Sequence, residues 1–347
     1  MTANRSGRPI TIVDVARRAG VSKSTVSNVL HERPVNPVLR ERVQVAIEEL
    51  GYFPSAVAQG LARQRTHTLG VLVPRLDNPF YADILGGIEE CAEERGYRLL
   101  IASTDVLGRT EAQAVESLIH HRPAGYILCG PRNGSVAAPL VMRGFPVVIV
   151  DCHDAPPQAA QIVVDDYLGM KLAVRHVIEL GHRRIAAVID SEVDPGRHRR
   201  LAGYLDALTE AGIEPDDALR IPDLPSPGSS EPAPRPMVVD RLLELPDRPT
   251  AVMAGDDLSA VGLIDSLEAR GIRVPKDMSV VGFDDIAWAR VGRIGLTTVR
   301  QPARAMGEAA STALMDHLVD DDEDALSSFR HLVEPELVIR RTTAPAP

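Results

Sequence analysis

The 347-residue sequence predicts an α/β protein in which a helix-turn-helix headpiece precedes a two-lobed body built on parallel sheets. Three observations carry this expectation. From residue 67 onward, apolar runs of strand length alternate with amphipathic helical segments, the pattern of parallel strands covered on both faces. That series occurs twice in tandem, which implies two lobes with a cleft at the carboxyl ends of their strands. Ahead of it, two short helical segments are joined by a glycine turn.

Composition sets the class. The chain is 44% hydrophobic and 25% charged, an ordinary globular balance, and only 3% aromatic, so its cores are expected to be Val, Ile, Leu and Ala. Two or three domains suit the length. The opening MTANRSGRP has no apolar h-region, and no apolar stretch is long enough to cross a bilayer. Cys91, Cys129 and Cys152 lack CxxC spacing, which argues against a disulfide framework and a zinc site. The expectation is a cytoplasmic protein with no cofactor, metal or membrane partner.

Charge is distributed unevenly. Residues 1–65 hold ten Lys/Arg against five acids, a net of +5, so the remainder carries −15 within a chain total of −10. A basic head on an acidic body suits a tethered DNA reader, since the head is drawn to phosphates and the body is repelled. Chance surface arginines would give the same count.

In ITIVDVARRAGVSKSTVSNVL (10–30), Thr11 can cap a first helix with Asp14 near its positive end. Ile12, Val15, Ala16 and Ala19 share one face. Gly20 supplies the turn, and Ser22 caps a second helix. There Val26, Val29 and Leu30 point inward, leaving Lys23, Ser24, Ser27 and Asn28 as a polar stripe. Asn36 and Pro37 open a third helix with a seam of Leu39, Val43, Ala46, Ile47 and Leu50, closed by Gly51. An oligomerisation arm is the competing reading, and the polar stripe and basic surroundings count against it. In YFPSAVAQGLARQR (52–65), Ser55 can cap a helix of about two turns that Gly60 weakens by roughly 1 kcal/mol relative to Ala. Such a helix forms when DNA or a second copy holds it; an ordinary linker fits the composition equally.

The body reads as strand HTLGVLVP, a helix from about Pro79, strands YRLLIA, GYILCG and PVVIVD with helices between, then IVVDD, RRIAAVID, TAVMAG and SVVGFDD with theirs. No GxGxxG follows a strand, and there is no Walker sequence or HExxH, so an enzyme is not expected. His182, in GHRR, reads as a helix-end feature rather than a general base. Trp288 borders the cleft or fills a loop. DDDED (320–324) is a solvated loop or, less fittingly, a cation site. The final TTAPAP has no heptad pattern, so a dimer is expected rather than a coiled-coil tetramer.

TIVDVARRAGVSKSTVSNVL and RERVQVAIEELGYFPSAVAQGLA resemble the headpiece and hinge of the LacI/GalR family of bacterial repressors. VLVPRLDNPFYADILGGIE, VDDYLGMKLAVRHVIELGHRRIA, RLAGYLDALTEAGI, PTAVMAGDD and SVVGFDD resemble its periplasmic-binding-protein-like core. The resemblance implies a headpiece at 1–54, a hinge helix and linker at 55–66, and a body at 67–347. Lobe 1 is expected at about 67–162 and 297–327, lobe 2 at about 163–296 and 328–343. The final helix should return to lobe 1, and the strand near Leu332 to Val338 should belong to lobe 2.

The resemblance also implies roles. Lys23, Ser24 and Asn28 would read bases in the major groove, and Leu61 would wedge into the minor groove beside Ala62. Thr11, Ser22, Thr25, Ser27, Asn36, Tyr52 and Ser55 complete the expected DNA-contacting set. Many members carry Arg where this chain has Asn28; Asn favours adenine and Arg guanine, which shifts the expected operator. Phe80 and Tyr81 would pack on an effector bonded by Asp151, Arg200, Asp256 and Asp284, with Gln301 near the hinge. Carboxylates and Arg at strand ends suit a polyhydroxylated sugar independently of the family; a nucleobase is the alternative. Asp256 replaces the more usual Asn, and IPDLPSPGSSEPAPRP (221–236) replaces a compact loop that often lends the cleft an aromatic. The function implied is a repressor binding a pseudo-palindromic duplex under small-molecule control. An activator would look the same in sequence, whereas a solute-binding protein would need a leader and no headpiece.

Overall fold

The computed structural model describes residues 10–30, 33–52, 66–104, 110–189, 195–222, 236–320 and 323–347. The chain divides into two compact units, Met1–Thr66 and His67–Pro347. Ser55, Leu61, Ala62 and the Pro-rich run at 223–235 lie outside the described residues.

The first unit holds α1 (Ile12–Ala19), α2 (Lys23–Leu30) and α3 (Pro37–Leu50). Asp14 accepts the Thr11 backbone N–H at 3.0 Å and its hydroxyl at 2.7 Å, fixing the start of α1. Gly20 ends α1 at φ 63°, a left-handed turn in which a β-carbon would be strained. Ser22 Oγ accepts the Thr25 N–H at 3.1 Å, and Asn36 Oδ1 accepts the Val38 N–H at 3.0 Å. Val15, Val26, Val29, Val43 and Ala46 meet at the centre. Tyr52, one of the residues expected to contact DNA, packs into this core and is 9% exposed. So small a core gains more from a buried aromatic ring than from leaving it in water.

The second unit has two six-stranded sheets. The first contains β1 (Thr68–Val73), β2 (Arg98–Ser103), β3 (Gly125–Cys129), β4 (Val147–Val150), β5 (Ala160–Val164) and β11 (Arg330–Val333), in the order β11-β5-β4-β3-β1-β2, all parallel. The second contains β6 (Ile185–Val188), β7 (Arg220–Ile221), β8 (Ala251–Ala254), β9 (Ser279–Asp284), β10 (Thr297–Arg300) and β12 (Glu336–Val338), in the order β12-β10-β9-β8-β6-β7, with β12 antiparallel. On the first sheet pack α4 (Pro79–Glu94), α5 (Glu111–His120) and α10 (Ala303–Asp320); on the second pack α6 (Asp166–Glu179), α7 (Pro195–Glu210), α8 (Pro236–Glu244) and α9 (Asp257–Glu268). α10 contributes Ala303, Met306, Ala310, Leu314 and Met315 to the core beside the first sheet. At Gly87 of α4 and Gly307 of α10 the backbones approach so closely that a Cβ would lie 2.1 Å from the Arg304 and Ile84 carbonyl oxygens.

Three expected lobe boundaries shift. β5 pairs with β4, so the first lobe continues to Val164 rather than ending at 162. β10 pairs with β9, so the return crossing follows Arg300 rather than preceding 297. The strand expected at Leu332 to Val338 is two strands, Arg330–Val333 in the first sheet and Glu336–Val338 in the second. Sheet membership is decided by partners distant in sequence, which apolar patterning does not encode. The three crossings lie together: Asp165 N–H donates to the Val333 carbonyl at 3.0 Å, and Arg300 is paired with Glu336.

The final residues strap the second lobe. Val280 N–H donates to the Thr342 carbonyl at 2.8 Å, Thr297 N–H to Thr342 Oγ1 at 2.9 Å, and Ala346 N–H to the Leu180 carbonyl at 2.9 Å. His182 is buried beneath, with Nδ1 2.8 Å from Thr250 Oγ1 and Nε2 3.0 Å from the Ala344 carbonyl. Burial lowers its pKa, so the imidazole is neutral and structural. None of the described helices is long and apolar enough to cross a membrane.

Candidate functional site

Two sets of residues carry chemistry, one in each unit. On the headpiece, Val26 and Val29 face inward, so α2 turns its other side to solvent. Ser22, Lys23 and Ser24 are exposed, while Thr25, Ser27 and Asn28 are half-buried. Ser22 Oγ lies 2.7 Å from Ser24 Oγ and 2.8 Å from Thr25 Oγ1, a hydroxyl cluster at a helix start where anions are favoured. Thr11 and Asn36 use their side chains at helix ends. Sequence reasoning missed Arg42, whose Nη2 donates to the Ala19 carbonyl at 2.6 Å and fixes the turn from α3. Nothing local marks a contact between residues that far apart in the chain.

In the body, the expected effector residues stand at carboxyl ends of strands. Asp151 follows β4, Asp256 follows β8, Asp284 ends β9 and Gln301 follows β10. Tyr81 is in the first turn of α4 and donates to Asp151 Oδ2 at 3.2 Å. Its ring occupies the place a Cβ on Gly130 would take. Phe80, expected to pack on a ligand, is 3% exposed within the first-lobe core. It lies one residue round the helix from Tyr81, on the face turned to the sheet.

Arg200 is buried and held on three sides. Its Nε donates to Asp166 Oδ1 at 2.7 Å, its Nη1 to the Gly255 carbonyl at 2.6 Å, and its guanidinium lies 3.8 Å from the Phe283 ring centre. Asp256 caps α9 by accepting the Ser259 N–H at 2.8 Å and pairs with Arg197 Nη2. Gln301 Nε2 donates to Asp284 Oδ1 at 2.7 Å, while Gln301 Oε1 is buried with no hydrogen-bond partner among the described residues. The structure thus joins Tyr81 with Asp151 and Asp284 with Gln301. It adds three residues that sequence reasoning passed over: Asp166, Arg197 and His153, the last 2.7 Å from Asp166 Oδ2. Asp166 stood in the quoted VDD run, but only the fold shows which carboxylate reaches Arg200.

Backbone strain marks the same place. Among the described residues, four other than glycine have positive φ, and three are Asp151 (60°), Asp284 (124°) and Asp285 (58°). Such conformations persist where surrounding structure enforces them, and they concentrate at ligand sites.

The buried carboxylates divide into two electrostatic classes. Asp166 and Asp256 stay below the usual carboxylate range because the guanidiniums of Arg200 and Arg197 overcome burial. Asp285 does likewise, taking Arg300 Nε at 2.8 Å, Arg340 Nη2 at 2.5 Å and Arg290 Nη2 at 3.2 Å. Among the described residues, no cation is bonded to Asp257 or Asp284. Burial pushes Asp257 up to about 7, and it lifts Asp284 well above its ordinary value even with Arg200 opposing. Asp257 accepts the Thr298 hydroxyl at 2.5 Å and the Ile286 N–H at 2.9 Å, with room supplied by Gly282.

The raised pKa of Asp257 has a fixed sign in stability. Its contribution is fully present below the ordinary carboxyl value and is lost as pH rises through about 7. Asp257→Asn is therefore expected to have a higher melting midpoint relative to wild type at about pH 8 than at about pH 5. Parallel midpoints across that range would contradict the assignment. Asp166, Asp256 and Asp285 act oppositely: their contribution is present above the usual carboxylate range and disappears as pH falls through their lowered values.

Comparison with known proteins bears on both units. Residues 11–55 match the family model for bacterial regulatory proteins, lacI family, and residues 174–343 match that for a periplasmic binding protein-like domain. Over 335 residues, 96% of this chain and 98% of the relative, the chain is 34% identical to the HTH-type transcriptional repressor PurR of Vibrio atlanticus. The same identity and coverage relate it to the ribose operon repressor of Haemophilus influenzae. The lac repressor dimer solved with operator and the anti-inducer ONPF is 27% identical, with a TM-score of 0.78 over 97% of this chain and 100% of that one.

Proposed function

Because this chain belongs to the lacI family of bacterial regulatory proteins, we propose that it is a sequence-specific transcriptional repressor controlled by a small molecule bound between the lobes of its body. The observation that carries the reading is one chain holding both a helix with an exposed polar stripe and a two-lobed unit whose strand ends converge on bonding groups. A dimer presents two copies of α2 about one DNA turn apart, so the duplex it prefers is a pseudo-palindrome. The reading places the protein in the cytoplasm, with that DNA.

A sugar is the effector class that the cleft chemistry favours. Asp151, Asp256, Asp284 and the Gln301 carbonyl are acceptors on several sides, and a polyol brings donors in several directions. Gln301 Oε1 in particular is a buried acceptor with no donor among the described residues, and an unmet buried acceptor costs about 1–3 kcal/mol. A hydroxyl reaching it would convert that cost into affinity. The ribose operon repressor to which this chain is similar fits the same class.

Control is a linkage between two sites. An effector that prefers one lobe orientation shifts operator affinity by as much as its affinities for the two orientations differ. A coupling of about 1–3 kcal/mol corresponds to roughly 5- to 150-fold. The test is selection of duplexes from a random pool by the purified chain, followed by titration of the selected duplex against sugars and nucleobases. Selection of a pseudo-palindrome and a sugar that moves its affinity are expected. Equal affinity for every duplex would overturn the reading.

A further inference from the structure

The loop after β4 carries a side chain that the effector reading leaves unused. His153 is largely buried, and its Nε2 lies 2.7 Å from Asp166 Oδ2. The other oxygen of Asp166 accepts the Arg200 Nε–H at 2.7 Å. One carboxylate, itself 2% exposed, is thus shared between an imidazole and the guanidinium that Gly255 and Phe283 also hold. Both partners, Arg200 before His153, hold Asp166 below the usual carboxylate range, so it stays ionised and keeps accepting from both.

The two partners belong to different lobes. His153 is flanked by first-lobe anchors. Cys152 is buried in that lobe's core, and its carbonyl accepts the Gln161 Nε2–H at 2.9 Å. Asp154 presses on the other side, its carbonyl oxygen 1.9 Å from where a Cβ on Gly134 would stand. Asp166, by contrast, is the first residue of α6, just past the crossing from β5, and Arg200 is on α7 of the second lobe. The chain His153–Asp166–Arg200 therefore spans the place where the lobes join.

We propose that His153 is a positioning residue: through Asp166 it fixes the angle of the second-lobe Arg200 to the first lobe, and so links effector binding to lobe orientation. The proposal rests on the effector reading of Arg200 given above. A long guanidinium side chain has rotamers to lose, and a carboxylate pinned from the opposite lobe removes that freedom before the effector arrives. If the lobes rotate about the crossing, the shared carboxylate must release one partner or carry the other with it. Buried charge pairs resist the first outcome, because an unpaired buried carboxylate is costly.

The experiment uses the full chain, its selected duplex, and D-ribose, D-glucose, D-galactose and cellobiose as probes. Direct sugar binding and the sugar-induced change in duplex affinity are measured for wild type, His153→Ala and His153→Gln. His153→Ala is expected to bind the responsive sugar at least about tenfold more weakly and to lose most of its effect on the duplex. His153→Gln, whose amide can donate to Asp166, is expected to recover the greater part of both. A bond that only stabilised the fold would lower the melting midpoint in His153→Ala and leave sugar affinity and coupling at wild-type values, and that result overturns the proposal. Loss of both responses in Gln as in Ala overturns it as well. A wild-type protein that selects a duplex but responds to none of the four sugars refutes the sugar reading itself and removes this proposal with it.

Discussion

Asn28→Ala is expected to weaken binding to the preferred duplex by roughly 30-fold to roughly ten-thousand-fold while leaving binding to random DNA nearly unchanged. A bidentate contact to a base edge discriminates by about 1–3 kcal/mol, and a dimer makes it twice. Each 1.4 kcal/mol is about tenfold in affinity. Val26 and Val29 supply the core packing of α2 and are untouched, so the headpiece should stay folded. Non-specific binding depends on phosphate contacts, and the substitution leaves the net positive charge of residues 1–65 unchanged. The measurement is a parallel titration of wild type and variant against the selected duplex and a scrambled one. An equal loss on both would mean that the side chain supports the fold or the backbone contact rather than reading a base.

Arg200→Lys is expected to abolish the sugar-induced change in duplex affinity, with operator binding in the absence of sugar kept within about threefold. The charge survives, but an ammonium cannot reproduce the fork that meets Asp166 and the Gly255 carbonyl together, nor lie flat 3.8 Å from the Phe283 ring centre. Arg200→Ala is a harsher variant. It leaves the buried Asp166 carboxylate without the guanidinium that pairs with it, and breaking a buried pair in this way costs about 3–5 kcal/mol of body stability. Lys thus tests the pocket and Ala the pair. A full sugar response in Arg200→Lys would move the effector site elsewhere in the body.

Local chemistry made much of this molecule readable in its sequence. Thr11, Ser22 and Asn36 act at helix starts as their side chains dictate, and Gly20 and Gly51 take the positive φ that their turns require. Strand-length apolar runs became parallel strands. What was not readable depends on pairing across the chain. β5, β10 and β11 have the pattern of any buried strand, and only their partners decide which lobe each belongs to. TTAPAP shows no periodicity at all, yet Thr342 and Ala344 supply the acceptors that close the second lobe over His182.

The cleft divides in the same way. Family resemblance placed Asp151, Asp256, Asp284 and Gln301 at strand ends, where the fold puts them. It did not reveal that Arg197 neutralises Asp256, so the acidic departure at that position adds no unpaired charge to the pocket. Tyr52 and Phe80 also carry packing that their expected roles did not include: an aromatic beside functional residues is still an apolar side chain, and each had a core within reach.

Regulation by an effector requires coupling between the duplex site and the sugar site, and linkage allows that coupling to be measured from both ends. Operator affinity should be determined with and without saturating sugar, and sugar affinity with and without saturating operator. The two ratios are expected to agree, at roughly 5- to 150-fold, since coupling free energy is reciprocal. A sugar that binds the body tightly while leaving operator affinity unchanged would contradict the account, because occupancy of the cleft would then carry no message to the headpiece.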